Sequence, residues 1–254
     1  MQRYRSILEA YQSYREERLS LEVATDLGHV VLYRPLSIGM GWLLARGTTT
    51  PTTVSVIGGL SIPAMLASAS LLKPDLALPA VCILAYLGGL LDCVDGDLAR
   101  ASGQSSRLGG YIDFQIDMAR WAAFYASFGM AIDRSAAADP GAGASTIGLQ
   151  IGWIVLALAA AWLRMYARSA RDFLAAYGPT PGSDASVAEP LAARPRHWIY
   201  RAAFTVLIGI DGFLPFLFLA CWAAGVPWLA VVLVLVLAIL DVIDTQLAAV
   251  KALT

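Results

Sequence analysis

The sequence predicts an all-α membrane protein: six transmembrane helices preceded by N-terminal amphipathic and interfacial helices. Of its 254 residues, 58% are hydrophobic and only 15% are charged, where a soluble domain carries roughly a quarter charged residues. Mean hydropathy is +0.63. Apolar stretches of about 20 residues, enough to cross a bilayer, recur six times, and Arg and Lys gather in alternate connections between them. A net charge of −1 gives no reason to expect a nucleic-acid partner.

From Arg3 to Glu22 the chain alternates charges with Ile7, Leu8, Tyr11 and Tyr14, which share one helical face. This segment reads as an amphipathic helix on the membrane surface or as an arm contacting its own core. Leu36 to Leu44 follows Arg34-Pro35 and is too short to span, so it is expected to lie in the interface. The spans follow at 52–72, 76–95, 109–132, 146–168, 201–224 and 227–249. Residues 1–47 would form cytoplasmic or interfacial helices, and 48–254 a six-helix transmembrane catalytic domain.

With the N-terminus inside, the inner connections carry most of the arginines, whereas the outer ones carry Lys73 and Arg134. This asymmetry puts both termini and the acidic segment described next at the cytoplasmic face. The segment from Asp172 to His197, rich in Pro, Gly, Ala and Ser, reads as a mobile inner loop. Cys82, Cys93 and Cys221 match neither a disulfide framework nor a zinc spacing and read as buried thiols.

Between Asp92 and Asp117 the chain spells Asp-x2-Asp-Gly-x2-Ala-Arg-x8-Gly-x3-Asp-x3-Asp. Carboxylates are costly at membrane depth, so they mark a functional site. Asp92 and Asp95 are three apart at the inner end of the second span, and Asp113 and Asp117 four apart at the start of the third. Each pair shares a helix face. Two antiparallel helices joined at a turn containing Gly103 would aim all four at one point. Their mutual repulsion calls for a cation, and all-oxygen ligation selects Mg²⁺ or Mn²⁺, with Ca²⁺ a further candidate. Four carboxylates suffice for two ions bridging a diphosphate.

Gly96 would let a ligand approach the backbone, and Arg100, one turn on, suits bidentate contact with phosphate. Gly109 opens the third span as a turn glycine or as a point of close approach. Asp97 leaves the shared helix face and is expected to point to water. A purely structural alternative pairs the acids with Arg100, Arg107 and Arg120.

The motif resembles the signature of the CDP-alcohol phosphotransferase (CDP-alcohol phosphatidyltransferase) family of integral membrane enzymes. All eight fixed positions agree: Asp92, Asp95, Gly96, Ala99, Arg100, Gly109, Asp113 and Asp117. Arg34-Pro35-Leu36-Ser37 and Thr50-Pro51-Thr52-Thr53-Val54-Ser55 are similar to segments many members carry, although Asn is common where this chain has Thr52, and Thr where it has Ser55. The resemblance implies that an acceptor hydroxyl attacks the phosphorus bearing the alcohol of a CDP-alcohol and that CMP leaves. It makes Asp92, Asp95 and Asp113 metal ligands, and Asp117 the general base and a further ligand. Gly96, Ala99 and Arg100 would line the CDP site, joined by Thr52, Ser55 and Gly109.

The expected donor is CDP-diacylglycerol, with phosphatidyl transfer to a hydroxyl acceptor in phospholipid synthesis. The alternative is a soluble CDP-headgroup with a lipid or polar acceptor. Arg120, Arg164, Arg168, Arg171 and Arg201 are candidates for contacting a phosphorylated acceptor; otherwise Arg120 neutralises a carboxylate and the other four serve as inside-positive anchors. Asp241 and Asp244 form another pair near the inner end of the last span and Asp211 stands alone. His29 and His197 read as surface or helix-end residues, and Trp42, Trp198 and Trp228 as interfacial belts. The expected setting is a bacterial inner membrane, and a homodimer is in keeping with similar proteins. A prenyltransferase reading leaves Asp-Gly-x2-Ala-Arg unexplained. A transporter would spread its acids through the bilayer depth.

Overall fold

Among the described residues, five helices open on a proline in their first two positions, Pro35, Pro51, Pro74, Pro215 and Pro227, where the missing N–H is no loss and the fixed φ suits the helix. The computed structural model describes residues 4–25, 27–104, 106–138, 152–177 and 212–253, with the side chains of 21, 24, 25, 107, 172, 174–177 and 251–253 left aside. Within them every regular element is helical: α1 (Ile7–Glu17), α2 (Leu19–Thr25), a π-helical turn (His29–Tyr33), α3 (Arg34–Leu44), α4 (Pro51–Gly59), α5 (Ser61–Leu71), α6 (Pro74–Ser102), α7 (Arg107–Ala138), α8 (Trp153–Tyr177), α9 (Leu214–Ala223) and α10 (Pro227–Leu253).

Three stretches among the described residues are long and apolar enough to cross a membrane: Pro51–Leu71, Pro74–Ser102 and Pro227–Val250. They coincide with the first, second and sixth spans expected from sequence. The first is interrupted at Leu60 between α4 and α5, because Pro63 has no N–H to donate to the carbonyl of Gly59. The third and fourth expected spans map onto α7 and α8, whose apolar character is diluted by the acids and arginines of the site. The fifth maps onto α9, a ten-residue apolar helix. Residues 146–151 and 201–211 of those expected spans lie outside the described residues, as do Arg201, Asp211, His197 and Trp198.

The main core lies between α5, α6, α7, α8, α9 and α10. Met65, Phe124, Tyr125, Phe128, Phe218 and Val231 are buried there, and the rings of Phe128 and Phe218 meet edge to face at 4.3 Å, a favoured aromatic geometry. Asp133 holds α8 against α7 by accepting the backbone N–H groups of Trp153 at 2.7 Å and Ile154 at 3.1 Å, a carboxylate cap on a helix N-terminus. On the other side, α3 crosses α6 at Gly41, where a Cβ would lie 2.9 Å from that of Asp97. Only a glycine fits this crossing without displacement.

The N-terminal arm packs on its own protein. Tyr4 and Ala10 cluster with Ile38 and Ala101, and the Tyr11 hydroxyl donates to the carbonyl of Pro35. Of the face expected to be apolar, Tyr11 and Tyr14 are used, while Ile7 and Leu8 are exposed.

Candidate active site

α6 ends at Gly103, whose φ of 69° is left-handed. The Gln104 N–H then reaches the carbonyl of Ala99 at 2.9 Å, the closing bond of a Schellman motif. α7 starts after Ser106, whose hydroxyl accepts the N–H of Gly109 at 2.9 Å. Gly109 is thus a first-turn residue of a capped helix rather than a helix-packing point. This tight connection lays Asp92 and Asp95 of α6 beside Asp113 and Asp117 of α7.

Asp95 is buried, and the Ser55 hydroxyl donates to its Oδ2 at 2.5 Å. Asp92 and Asp113 are close enough for their charges to interact. Arg120 is buried and ties the other ends together. Its guanidinium donates to Asp117 Oδ1 at 2.6 Å, to Asp92 Oδ1 at 3.2 Å and to the carbonyl of Gly88 at 3.1 Å. A Cβ at Gly88 would lie 3.0 Å from Arg120 Cδ, so the glycine makes room for the arginine. Arg168 of α8 donates to the second oxygen of Asp117 at 3.0 Å, and two cations therefore orient one carboxylate.

Two cavities flank these acids. The larger, about 420 Å³, is lined by Thr50, Thr52, Ser55, Asp95, Gly96, Ala99, Arg100, Gln104, Ser106, Gly109, Gly110 and Asp113, among others, and falls within the usual size range of a ligand pocket. All six residues expected to line a nucleotide site meet here. Thr50 belongs to the segment already singled out in the sequence, whereas Gln104, Ser106 and Gly110 were not anticipated; their only signal is proximity to motif positions. The second cavity is lined by Asp92, Asp117 and Arg120 and is otherwise walled by His29, Tyr33, Ala85, Gly89, Trp121, Phe124, Leu214 and Pro215. His29 is a helix-end residue, as one of the two expectations had it, and is half-buried in a cavity wall beside Tyr33 rather than on the surface. No local pattern marks this cavity, since its walls come from four separate segments.

Asp97 also departs from expectation. Instead of facing water it accepts from Arg34 Nη1 at 3.1 Å on both oxygens, from the Ser37 hydroxyl at 2.7 Å and from Arg100 Nη2 at 2.5 Å. Its position off the Asp92–Asp95 face turns it toward α3, which carries the cation that compensates it. Gly96 lines the larger cavity. The place of its missing side chain is next to the Arg100 guanidinium, with a Cβ 3.2 Å from Nη2.

Among the described residues, two further arginines expected to meet an acceptor, Arg164 and Arg171, have other partners. Arg164 stacks over Trp121 at 4.5 Å. Arg171 donates to buried Asp241 at 2.5 Å and to Thr245 at 3.3 Å, which accounts for one acid of the last-span pair.

The donor set suits a hard cation: acidic oxygens from two helices, with no His or Cys among the motif positions. Among the described residues, no three Asp, Glu, His or Cys groups already close around one point. Mg²⁺ commonly takes only one or two carboxylates and completes its shell with water and substrate phosphate, so the residues fit such an ion.

A model of the CDP-alcohol phosphatidyltransferase family matches residues 48–183. The chain belongs to this family. The match covers α4 to α8 and contains every residue of the acidic motif. The comparison with curated proteins gave no match. This CDP-alcohol phosphatidyltransferase is accordingly a transferase of substituted phosphate groups, moving a phosphoalcohol from a CDP-alcohol. Its apolar helices and its family mark it as an integral membrane protein.

Proposed function

We propose that the enzyme performs metal-dependent phosphatidyl transfer from CDP-diacylglycerol to an acceptor hydroxyl, releasing CMP, at the cytoplasmic face of a bacterial inner membrane. The observation that carries this reading is the convergence of Thr52, Ser55, Gly96, Ala99, Arg100 and Gly109 with Asp95 and Asp113 around one polar cleft. The cytidine diphosphate would lie in that cleft with Arg100 on a phosphate. Asp92, Asp95, Asp113 and Asp117 would hold Mg²⁺ or Mn²⁺, in a pair of ions. Such ions neutralise the diphosphate and the departing nucleotide.

The acceptor approaches from the second cavity, on the other side of Asp92 and Asp117. Asp117 Oδ1 or Oδ2 takes the hydroxyl proton as the acceptor oxygen bonds to the phosphorus bearing the alcohol, and the bond from that phosphorus to the CMP oxygen breaks. Each carboxylate oxygen has two lone pairs, so Arg120 and Arg168 can orient Asp117 while it receives the proton.

One observation favours a second reading, in which a soluble CDP-headgroup is the donor and a lipid alcohol the acceptor. Tyr33, Trp121, Phe124, Leu214 and Pro215 give the second cavity apolar walls, which suit an acceptor with an apolar body. CMP release is followed with CDP-diacylglycerol against a panel of polar acceptors, and with soluble CDP-alcohols against lipid alcohols, both with Mg²⁺. The primary reading expects turnover in the first arm, and turnover only in the second replaces it. Asp92→Asn, Asp95→Asn, Asp113→Asn and Asp117→Asn should each nearly abolish release in protein that still inserts. Full activity of Asp95→Asn would sink the metal-site reading. Trp121→Ala should raise KM for the acceptor while KM for the CDP donor holds.

A further inference from the structure

A line of alternating charges runs from the N-terminal arm to the polar cleft. Arg18 contacts Glu22 at 2.7 Å. Arg34 grips Glu22 with Nε and Nη2 at 2.8 and 2.6 Å, and the Tyr14 hydroxyl donates to the same carboxylate at 2.9 Å. The remaining Arg34 nitrogen, Nη1, holds Asp97, and Asp97 holds Arg100. Glu22, Arg34 and Asp97 side chains are at most 10% exposed, whereas Arg100, at 31%, opens on the cleft. The rigid part of the line is therefore inside, and its free end faces the ligand space.

A lone arginine at a cleft edge samples many rotamers, and ordering a long side chain costs entropy on binding. Here that ordering is done before the ligand arrives. Asp97 is locked by Arg34 and Ser37 and presents a fixed acceptor to Arg100 Nη2, leaving Nη1 and Nε for an anion. We propose that Arg34 and Asp97 are positioning residues that set the Arg100 guanidinium to meet the diphosphate of the CDP-alcohol. The inference rests on the reading of the polar cleft as the nucleotide site.

The charge of Asp97 makes the idea decidable. A carboxylate near the cleft repels an anionic ligand, so its removal alone should tighten binding. Weaker binding on neutralising Asp97 must instead act through Arg100. The experiment measures CDP affinity by calorimetry with Mg²⁺, and KM and kcat for CDP-diacylglycerol, for wild type, Asp97→Asn, Arg100→Ala and the double variant. Wild type must first bind CDP and release CMP; failure there rejects the nucleotide-site reading, not the positioning role.

The expected result is about tenfold weaker CDP binding for Asp97→Asn, an order of magnitude for a displaced charge-assisted contact. KM should rise in parallel with a much smaller change in kcat. In the Arg100→Ala background, Asp97→Asn should change affinity less than about twofold, since the group it positions is gone. Unchanged or tighter binding, or an equal loss in both backgrounds, overturns the proposal. Should Asp97→Asn not fold, Ser37→Ala carries the same comparison, with a loss of about threefold, consistent with one lost hydrogen bond, expected only where Arg100 is present. Arg34→Lys should recover less affinity than its charge suggests, because lysine cannot hold Glu22 and Asp97 together.

Discussion

The Ser55 hydroxyl donates to Asp95 Oδ2 at 2.5 Å, joining α4 to α6 across 40 residues of sequence. It fixes one oxygen of a buried acid and leaves the other for a ligand. A hydrogen bond to a charged group is worth about 1.5–3 kcal/mol. Ser55→Ala should therefore lower CMP release by about tenfold or more, and Ser55→Thr, which keeps the hydroxyl, should retain most of it. Equal losses in the two variants would mean that packing, not the hydroxyl, matters.

Arg120 neutralises two acids at once. Removing one partner of a buried ion pair leaves an uncompensated charge at a cost of about 3–5 kcal/mol. Arg120→Ala should lower the unfolding midpoint in detergent markedly. Lysine, with a single ammonium, cannot span Asp92, Asp117 and the Gly88 carbonyl, so Arg120→Lys should recover little. A wild-type midpoint for Arg120→Ala would show that water replaces the guanidinium.

Gly96→Ala should separate stability from ligand binding. An alanine in a helix interior is favoured over glycine by about 0.5–1 kcal/mol, so the midpoint should hold or rise. Its Cβ would stand 3.2 Å from Arg100 Nη2, pushing that flexible end away from Asp97, and CDP affinity should fall. Thermal melts and calorimetry on the same preparation check both signs.

The arm carries a pH signature through Glu22. Burial pushes its carboxyl up, but the hydrogen bonds and charge of Arg34, with the charge of Arg18, outweigh that and leave it below the ordinary value of 4.5. A carboxyl lowered on folding stabilises the protein above its unfolded pKa and loses that contribution as pH falls through the folded value. The stability gap between wild type and Glu22→Gln should thus be full near neutrality and close progressively as pH drops below about 4.5. A gap that did not change with pH would assign the effect to shape rather than charge.

The acidic motif was legible because its information is local. Asp92 with Asp95, and Asp113 with Asp117, repeat at helical spacing, and Gly103 marks the turn that brings them together. The first, second and last spans were legible for the same reason, as long and mostly apolar runs. Asp97 was misread because its partner, Arg34, lies 63 residues away, and no periodicity reports such a distance.

The sequence by itself determined an all-helical apolar chain, the acids and the family they belong to, since residue type and short spacing carry that chemistry. Only the tertiary structure decided which cation answers which acid: Arg120 between Asp92 and Asp117, Arg168 on Asp117, and Arg34 on Asp97. It also decided that the acids stand between a polar cleft and a second cavity to which Tyr33, Trp121, Phe124, Leu214 and Pro215 add apolar walls. Charges pair through space, and helix packing sets which of them come within reach.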